Sequence, residues 1–142
     1  MGDIFIMKSS LMAGKRGLIM GVANNHSIAW GIAQTLFDHG AELAFTFQGE
    51  ALQKRVEPLA ASVGSSLVIP CDVSVEGGVE ETFRTLQKNW DTLDFVIHAI
   101  GFSDKEELKG KYVNTSRKNF LNSMDISCYS FTEVARHAAP MM

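Results

Sequence analysis

Cysteine is scarce in this chain of 142 residues: there are two, Cys71 and Cys128, too few and too far apart for a disulfide framework or a thiolate metal motif. They read as two reduced thiols. The four histidines, His26, His39, His98 and His137, show neither i,i+4 pairing nor grouping with carboxylates, so no metal ligands are expected. No basic run is interleaved with aromatics, and a net charge of −3 offers no footprint for nucleic acid. No apolar run approaches the roughly 18 residues of a membrane span. Ile4-Phe5-Ile6-Met7 is too short for a secretory core and lacks a basic segment before it. Met1-Gly2 suggests myristoylation only weakly, because Ile6 stands where Ser or Thr is wanted. The expectation is a cytoplasmic protein with no membrane and no nucleic-acid partner.

What is present is an ordinary globular composition, 46% hydrophobic and 20% charged, in a length that suits one domain with a real core. Lys15 to Met20 reads as a strand. Ile28 to His39 carries Ile28, Ile32, Ala33 and Leu36 at helical spacing and stops at Gly40. A second strand, Glu42 to Phe47, precedes a helix from Ala51 to Val63. Ser66 to Ile69 forms a third strand, closed by Pro70. Ser74 is placed to cap a helix with Val75, Val79, Phe83 and Leu86 inward. Leu93 to His98 is a fourth strand, and a polar loop runs from Ser103 to about Thr115. A last helix, roughly Arg117 to Ala139, sets Phe120, Met124, Phe131, Val134 and Ala138 along one stripe.

Alternating strands and helices imply an α/β fold, a Rossmann-like doubly wound parallel sheet in the order 3-2-1-4. Residues 1–142 read as one dinucleotide-binding unit without repeat or linker. The sheet is incomplete after the fourth strand and its helix, so the chain is expected to be the amino-terminal part of a larger domain whose carboxyl-terminal catalytic half is absent.

In such sheets ligands lie outside the carboxyl ends of the strands. Gly21 ends the first strand, and Ser27-Ile28 opens its helix, where backbone amides and a hydroxyl can meet a pyrophosphate or where a plain capped helix can begin. The spacing Gly21 to Gly31 is not the usual G-x-G-x-x-G. Gln48 ends the second strand near the adenosine ribose; Glu50 repels a 2′-phosphate, Lys54 and Arg55 lie a turn further on, and NADH is favoured. Asp72 and Val73 end the third strand, Asp72 either accepting from an adenine amino group or assisting a helix start. Ile100 and Gly101 end the fourth, where glycine lets a backbone approach a ligand closely.

Several segments resemble one family: Gly21-x5-Ser27-Ile28-Ala29-x-Gly31, Ala41 to Gln48, Cys71-Asp72-Val73, Ile100-Gly101-Phe102, Tyr112-Val113-Asn114 and Asp125-Ile126-Ser127-x-Tyr129-Ser130-Phe131. They are similar to the NADH-dependent enoyl-acyl-carrier-protein reductases of bacterial type II fatty-acid synthesis, a divergent branch of the short-chain dehydrogenases. The likeness runs from about Ala13 to the end. It implies hydride transfer from NADH to the β-carbon of a trans-2-enoyl thioester on acyl-carrier protein, by an enzyme that is tetrameric when full-length. Carried over by position, Gly21, Ser27, Ile28, Gln48, Asp72, Val73 and Ile100 are the implied cofactor contacts. Ser103 is the implied substrate-side residue, standing where Ala is usual; Ala99 stands where Ser is frequent.

The family's catalytic pair is a Tyr followed about seven residues later by a Lys. The tyrosines here are Tyr112 and Tyr129, and Asn119 and Arg136 stand seven positions on. Tyr129 and Arg136 fall in the last helix, upstream of the family's active-site Tyr, and read as packing residues. No catalytic residue is therefore assigned within the chain. The chain is expected to be inactive alone. A dinucleotide- or partner-binding module without turnover is the alternative, and another short-chain dehydrogenase acting on a carbonyl is disfavoured by Ser27-Ile28-Ala29.

Overall fold

The computed structural model describes residues 9–142, so the readings of Met1-Gly2 and of Ile4 to Met7 lie outside the described residues. Four strands, β1 (Arg16–Met20), β2 (Glu42–Phe47), β3 (Val68–Pro70) and β4 (Phe95–His98), form one parallel sheet in the order β3-β2-β1-β4. Leu18 faces Ala44 on one side and Val96 on the other, which sets the register. The expected order holds, with the third and fourth strands beginning two residues later than expected.

Because side chains alternate across a strand, β1 and β2 feed two cores. Leu18, Met20 and Ala44 pack with Val79, Phe83 and Leu86 of α3 (Gly78–Gln87) and with Val134 and Ala138. Ile19, Leu43 and Phe45 pack on the other face with Ala29, Trp30 and Ala33 of α1 (Ile28–Asp38) and with Val56 and Ala60 of α2 (Glu50–Ser62). A sheet apolar on both faces needs helices on both. That requirement is met here.

Three readings of helix faces are corrected. Ile28 is 80% exposed, and α1 turns Ala29, Trp30 and Ala33 inward instead. Ser74 caps no helix: α3 starts at Gly78 after Gly77, whose left-handed φ of 78° ends the preceding turn, and this leaves Val75 exposed. The last helix is not continuous. It consists of α4 (Arg117–Met124), a π-helical turn at Asp125–Tyr129 and α5 (Ser130–Ala138). The inward side carries Asn119, Ser123, Ile126, Ser130, Val134 and Ala138, in steps of four, three, four, four and four, with Glu133 and His137 half-buried beside them. That pitch exceeds 3.6 residues per turn, and the wider π turn absorbs the excess. The expected single stripe therefore divides: Val134 and Ala138 are buried, while Phe120, Met124 and Phe131 face outward. The loop after β4 holds two short 3-10 turns, Lys105–Leu108 and Tyr112–Asn114.

Candidate dinucleotide site

The site begins where β1 and β4 end. Ala99 donates its N–H to the Met20 carbonyl at 3.0 Å, which brings the two strand ends together. Gly21 follows with φ of 107°, and a Cβ there would stand 2.1 Å from the Ala99 carbonyl oxygen. Only glycine suits both demands.

The loop to α1 is tied to itself. Ser27 Oγ accepts from the amides of Ala23 (2.9 Å) and Asn24 (3.1 Å), and Asn24 Oδ1 accepts from the His26 amide at 2.8 Å. A serine at a helix N-cap usually accepts from an amide of the first helical turn. Ser27 faces the other way, so it gives α1 no side-chain cap. Trp30 and Gly31 donate to the Ser27 carbonyl, whereas the Ile28 and Ala29 amides have no acceptor among the described residues. With two amides on its oxygen, the Ser27 hydroxyl retains its proton to donate. Two open amides, one hydroxyl proton and the positive end of α1 form a donor set suited to a diphosphate.

At the end of β2, Cys71 N–H donates to the Phe47 carbonyl at 2.8 Å and aligns β3 beside it. Gln48 Nε2 then donates to Asp72 Oδ2 at 3.1 Å. The other carboxylate oxygen, Oδ1, accepts from Ser74 N (2.9 Å) and Ser74 Oγ (2.6 Å), a closed Asx turn. The Ser74 hydroxyl bond, aided by the Ser74 amide and Gln48, holds the Asp72 carboxyl below its ordinary range. Burial pushes the Cys71 thiol up, which keeps it protonated and inert.

At the end of β4, the Phe102 backbone is clamped from across the site. Ser127 Oγ accepts from Phe102 N at 2.9 Å and donates to Phe102 O at 3.1 Å. Beneath it, Ser130 Oγ donates to the Ile126 carbonyl at 2.6 Å and so accepts from His98 Nε2 at 2.8 Å. Burial draws the His98 imidazole below its usual value.

These four strand ends enclose a cavity of about 530 Å³. Of the residues expected from sequence, Gly21, Gln48, Asp72, Val73 and Ile100 line it. Ser27 and Ile28 do not; they stand one loop away, and Ser27 is bonded to Ala23, which does line it. Ser103 is elsewhere. Its hydroxyl accepts from Asn119 Nδ2 at 3.1 Å in a separate hollow with Leu108, Tyr112 and Phe120. Leu52 and Asn122 also line the main cavity without any mark in the sequence, as do Ser74, read there as a helix cap, and Thr46 and Ile126, which stand there only within the resembling segments. For Ser74 the signal is Asp-x-Ser, a turn pattern; for Ile126 it is the likeness of Asp125-Ile126-Ser127 alone, and for Asn122 there is none, because the fold brings it in from α4.

No cluster of metal-ligating side chains occurs among the described residues, and no described helix is long and apolar enough to cross a membrane. Tyr129 is exposed on the π turn, and Arg136 is exposed on α5.

The comparisons with known proteins agree with one another. Residues 21–142 match the family model described as enoyl-(acyl carrier protein) reductase. The chain is 62% identical over 134 residues to enoyl-[acyl-carrier-protein] reductase [NADH] 2 of Rhizobium meliloti, covering 94% of this chain and 50% of that protein. It is 46% identical over 132 residues to the FabI enzyme of Aquifex aeolicus, covering 93% of this chain and 49% of the relative. Among solved structures, FabI from Candidatus Liberibacter asiaticus superposes with a TM-score of 0.93 at 54% identity, covering 94% of this chain and 52% of that one. The Anaplasma phagocytophilum reductase in complex with NAD gives 0.92 at 54% identity, covering 96% and 52%. The chain thus spans about half the length of the relatives it matches. Fold, glycine turn and sequence together establish that this chain belongs to the enoyl-(acyl carrier protein) reductase family.

Proposed function

We propose that this chain is the NADH-binding portion of an enoyl-[acyl-carrier-protein] reductase, a protein that reduces the trans-2-enoyl thioester double bond in type II fatty-acid synthesis. The observation that carries the reading is the convergence of Gly21, Gln48, Asp72 and Ile100 from four consecutive strand ends on one cavity. In this reading the Ile28 and Ala29 amides and the Ser27 hydroxyl hold the diphosphate, and Gln48 faces the adenosine ribose. Asp72 still has lone-pair capacity for the adenine amino group, and Val73 packs beside the ring. Ile100 and Gly101 support the nicotinamide end. When bound, NADH supplies the hydride; the chain's own residues orient it and exclude water.

Ser103 borders the acyl substrate in the same reading, on the far side of the Asn119 bridge. The outward stripe of Phe120, Leu121, Met124 and Phe131 supports assembly into a tetramer in the complete protein. The compartment is the cytoplasm, and the partner is acyl-carrier protein.

The test is a pair of assays on the 142-residue chain. NADH fluorescence titration is expected to show saturable binding, and crotonyl-coenzyme A with NADH is expected to show no turnover, since neither tyrosine has a Lys seven residues on. Absence of NADH binding by a chain that is folded by circular dichroism overturns the cofactor reading. Turnover overturns the assignment of the chemistry to residues outside these 142.

A further inference from the structure

The dinucleotide reading leaves one polar arrangement unexplained: why the Asp72 carboxylate is bonded to Gln48 at all. Asp72 sits at the end of β3 and Gln48 at the end of β2, and both line the cavity. The carboxylate is held in place by two donors from Ser74 on one oxygen, leaving the other oxygen to Gln48 Nε2 at 3.1 Å. An ionised carboxylate only accepts hydrogen bonds, so the Gln48 amide must present its NH2 group to it. The amide oxygen at the opposite side has no donor among the described residues. Its orientation is thus dictated by a neighbour on another strand.

We infer that Asp72 is a positioning residue for cofactor choice: through Gln48 it turns an amide oxygen toward the ribose and so selects a dinucleotide with a free 2′-hydroxyl over one with a 2′-phosphate. The inference rests on the reading of this cavity as a dinucleotide site. A hydroxyl can donate to that oxygen. A phosphate, which carries a charge of about −1.5 to −2 at neutral pH and is mostly an acceptor there, meets a lone pair first and a carboxylate behind it. Were the Gln48 amide free to flip, its NH2 could serve a phosphate equally well. Glu50, in the first turn of α2, adds negative charge at the same corner, ahead of the exposed Lys54 and Arg55.

The experiment measures dissociation constants for NADH and NADPH by fluorescence on the intact chain and on Asp72→Asn, Gln48→Met and the double variant. Asn at 72 retains an oxygen for the Ser74 amide, so the turn survives, but its own NH2 now suits the Gln48 oxygen and permits the flip. The unaltered chain is expected to prefer NADH, and Asp72→Asn to narrow that preference about tenfold or more. In the Gln48→Met background the same change is expected to alter the preference less than about threefold, because the effect passes through the amide.

Equal weakening of both cofactors by Asp72→Asn overturns the inference, since an adenine contact alone predicts that result. Full narrowing in the Gln48→Met background also overturns it, by showing bare charge at work. Should Asp72→Asn not fold, Ser74→Ala loosens the carboxylate without removing it; a smaller narrowing supports the inference and an unchanged ratio counts against it. If the folded, unaltered chain binds neither cofactor, the dinucleotide reading itself fails, a result distinct from all of these.

Discussion

Gly21 and Ala99 approach so closely that a methyl group on the first would stand 2.1 Å from the carbonyl oxygen of the second. The contact joins the ends of the two strands that flank the site, and it carries no polar chemistry of its own. It shows how much of a binding cleft is decided by the space that backbone needs.

Gly21→Ala is therefore expected to damage the fold as well as the site. A left-handed φ costs an alanine about 1–2 kcal/mol, and overpacking against a fixed carbonyl adds about 1–3 kcal/mol. Urea unfolding should show a loss of that combined order. Gly101→Ala is the contrast, since a Cβ there meets nothing nearer than Ser127 Oγ at 3.9 Å. It should leave the urea midpoint in place while weakening NADH, if a ligand backs onto that turn; equal destabilisation by both changes would contradict the distinction.

Ser27→Ala removes the acceptor shared by the Ala23 and Asn24 amides and the hydroxyl proton left for a ligand. Loss of these bonds should cost about 1–3 kcal/mol of stability. NADH affinity is expected to fall about tenfold, the scale of one hydrogen bond to a charged group. Titration calorimetry and urea melts on the same protein separate the two effects. Unchanged affinity with reduced stability would reduce Ser27 to a staple for the loop.

His98 predicts a pH dependence. Its folded value lies below its unfolded one because burial disfavours the charged ring. Between the two values the unfolded chain binds more protons, so stability rises with pH there and falls as acid is added below the unfolded value of about 6.5. His98→Gln places an amide nitrogen within reach of Ser130 but does not titrate. Denaturant midpoints measured from pH 7.5 down to 5.5 should decline for the natural chain and stay flatter for the variant. Parallel slopes would show that His98 is not the group responsible.

Much of this was legible in the residues. Gly21 and Asp72 follow strand-like runs that end abruptly, and a run apolar enough to be buried on both faces has to belong to a parallel sheet. Five of the seven cofactor positions lie on the cavity wall for that reason. Ser27 and Ile28 lie off it because sequence spacing does not reveal that the serine bonds backward into its own loop. Ser74 opens no helix, because Asp-x-Ser closes a turn on itself as readily as it starts one, and Gly77 delays α3 to Gly78. Phe120, Met124 and Phe131 do not share one stripe with Val134 and Ala138, because a single helical period does not run across Asp125–Tyr129, where the backbone widens.

Local chemistry along the chain determined the element order, the sheet topology and the strand ends that carry function, since alternation and glycine placement act over a few residues. Only the tertiary structure decided the contacts made over long separations: Gln48 on Asp72, Ser127 on Phe102, Ser130 on His98. The physical reason is that a hydrogen bond depends on tenths of an ångström and on direction. A pattern of residue types conveys neither until the sheet has set its twist and the helices have settled against it.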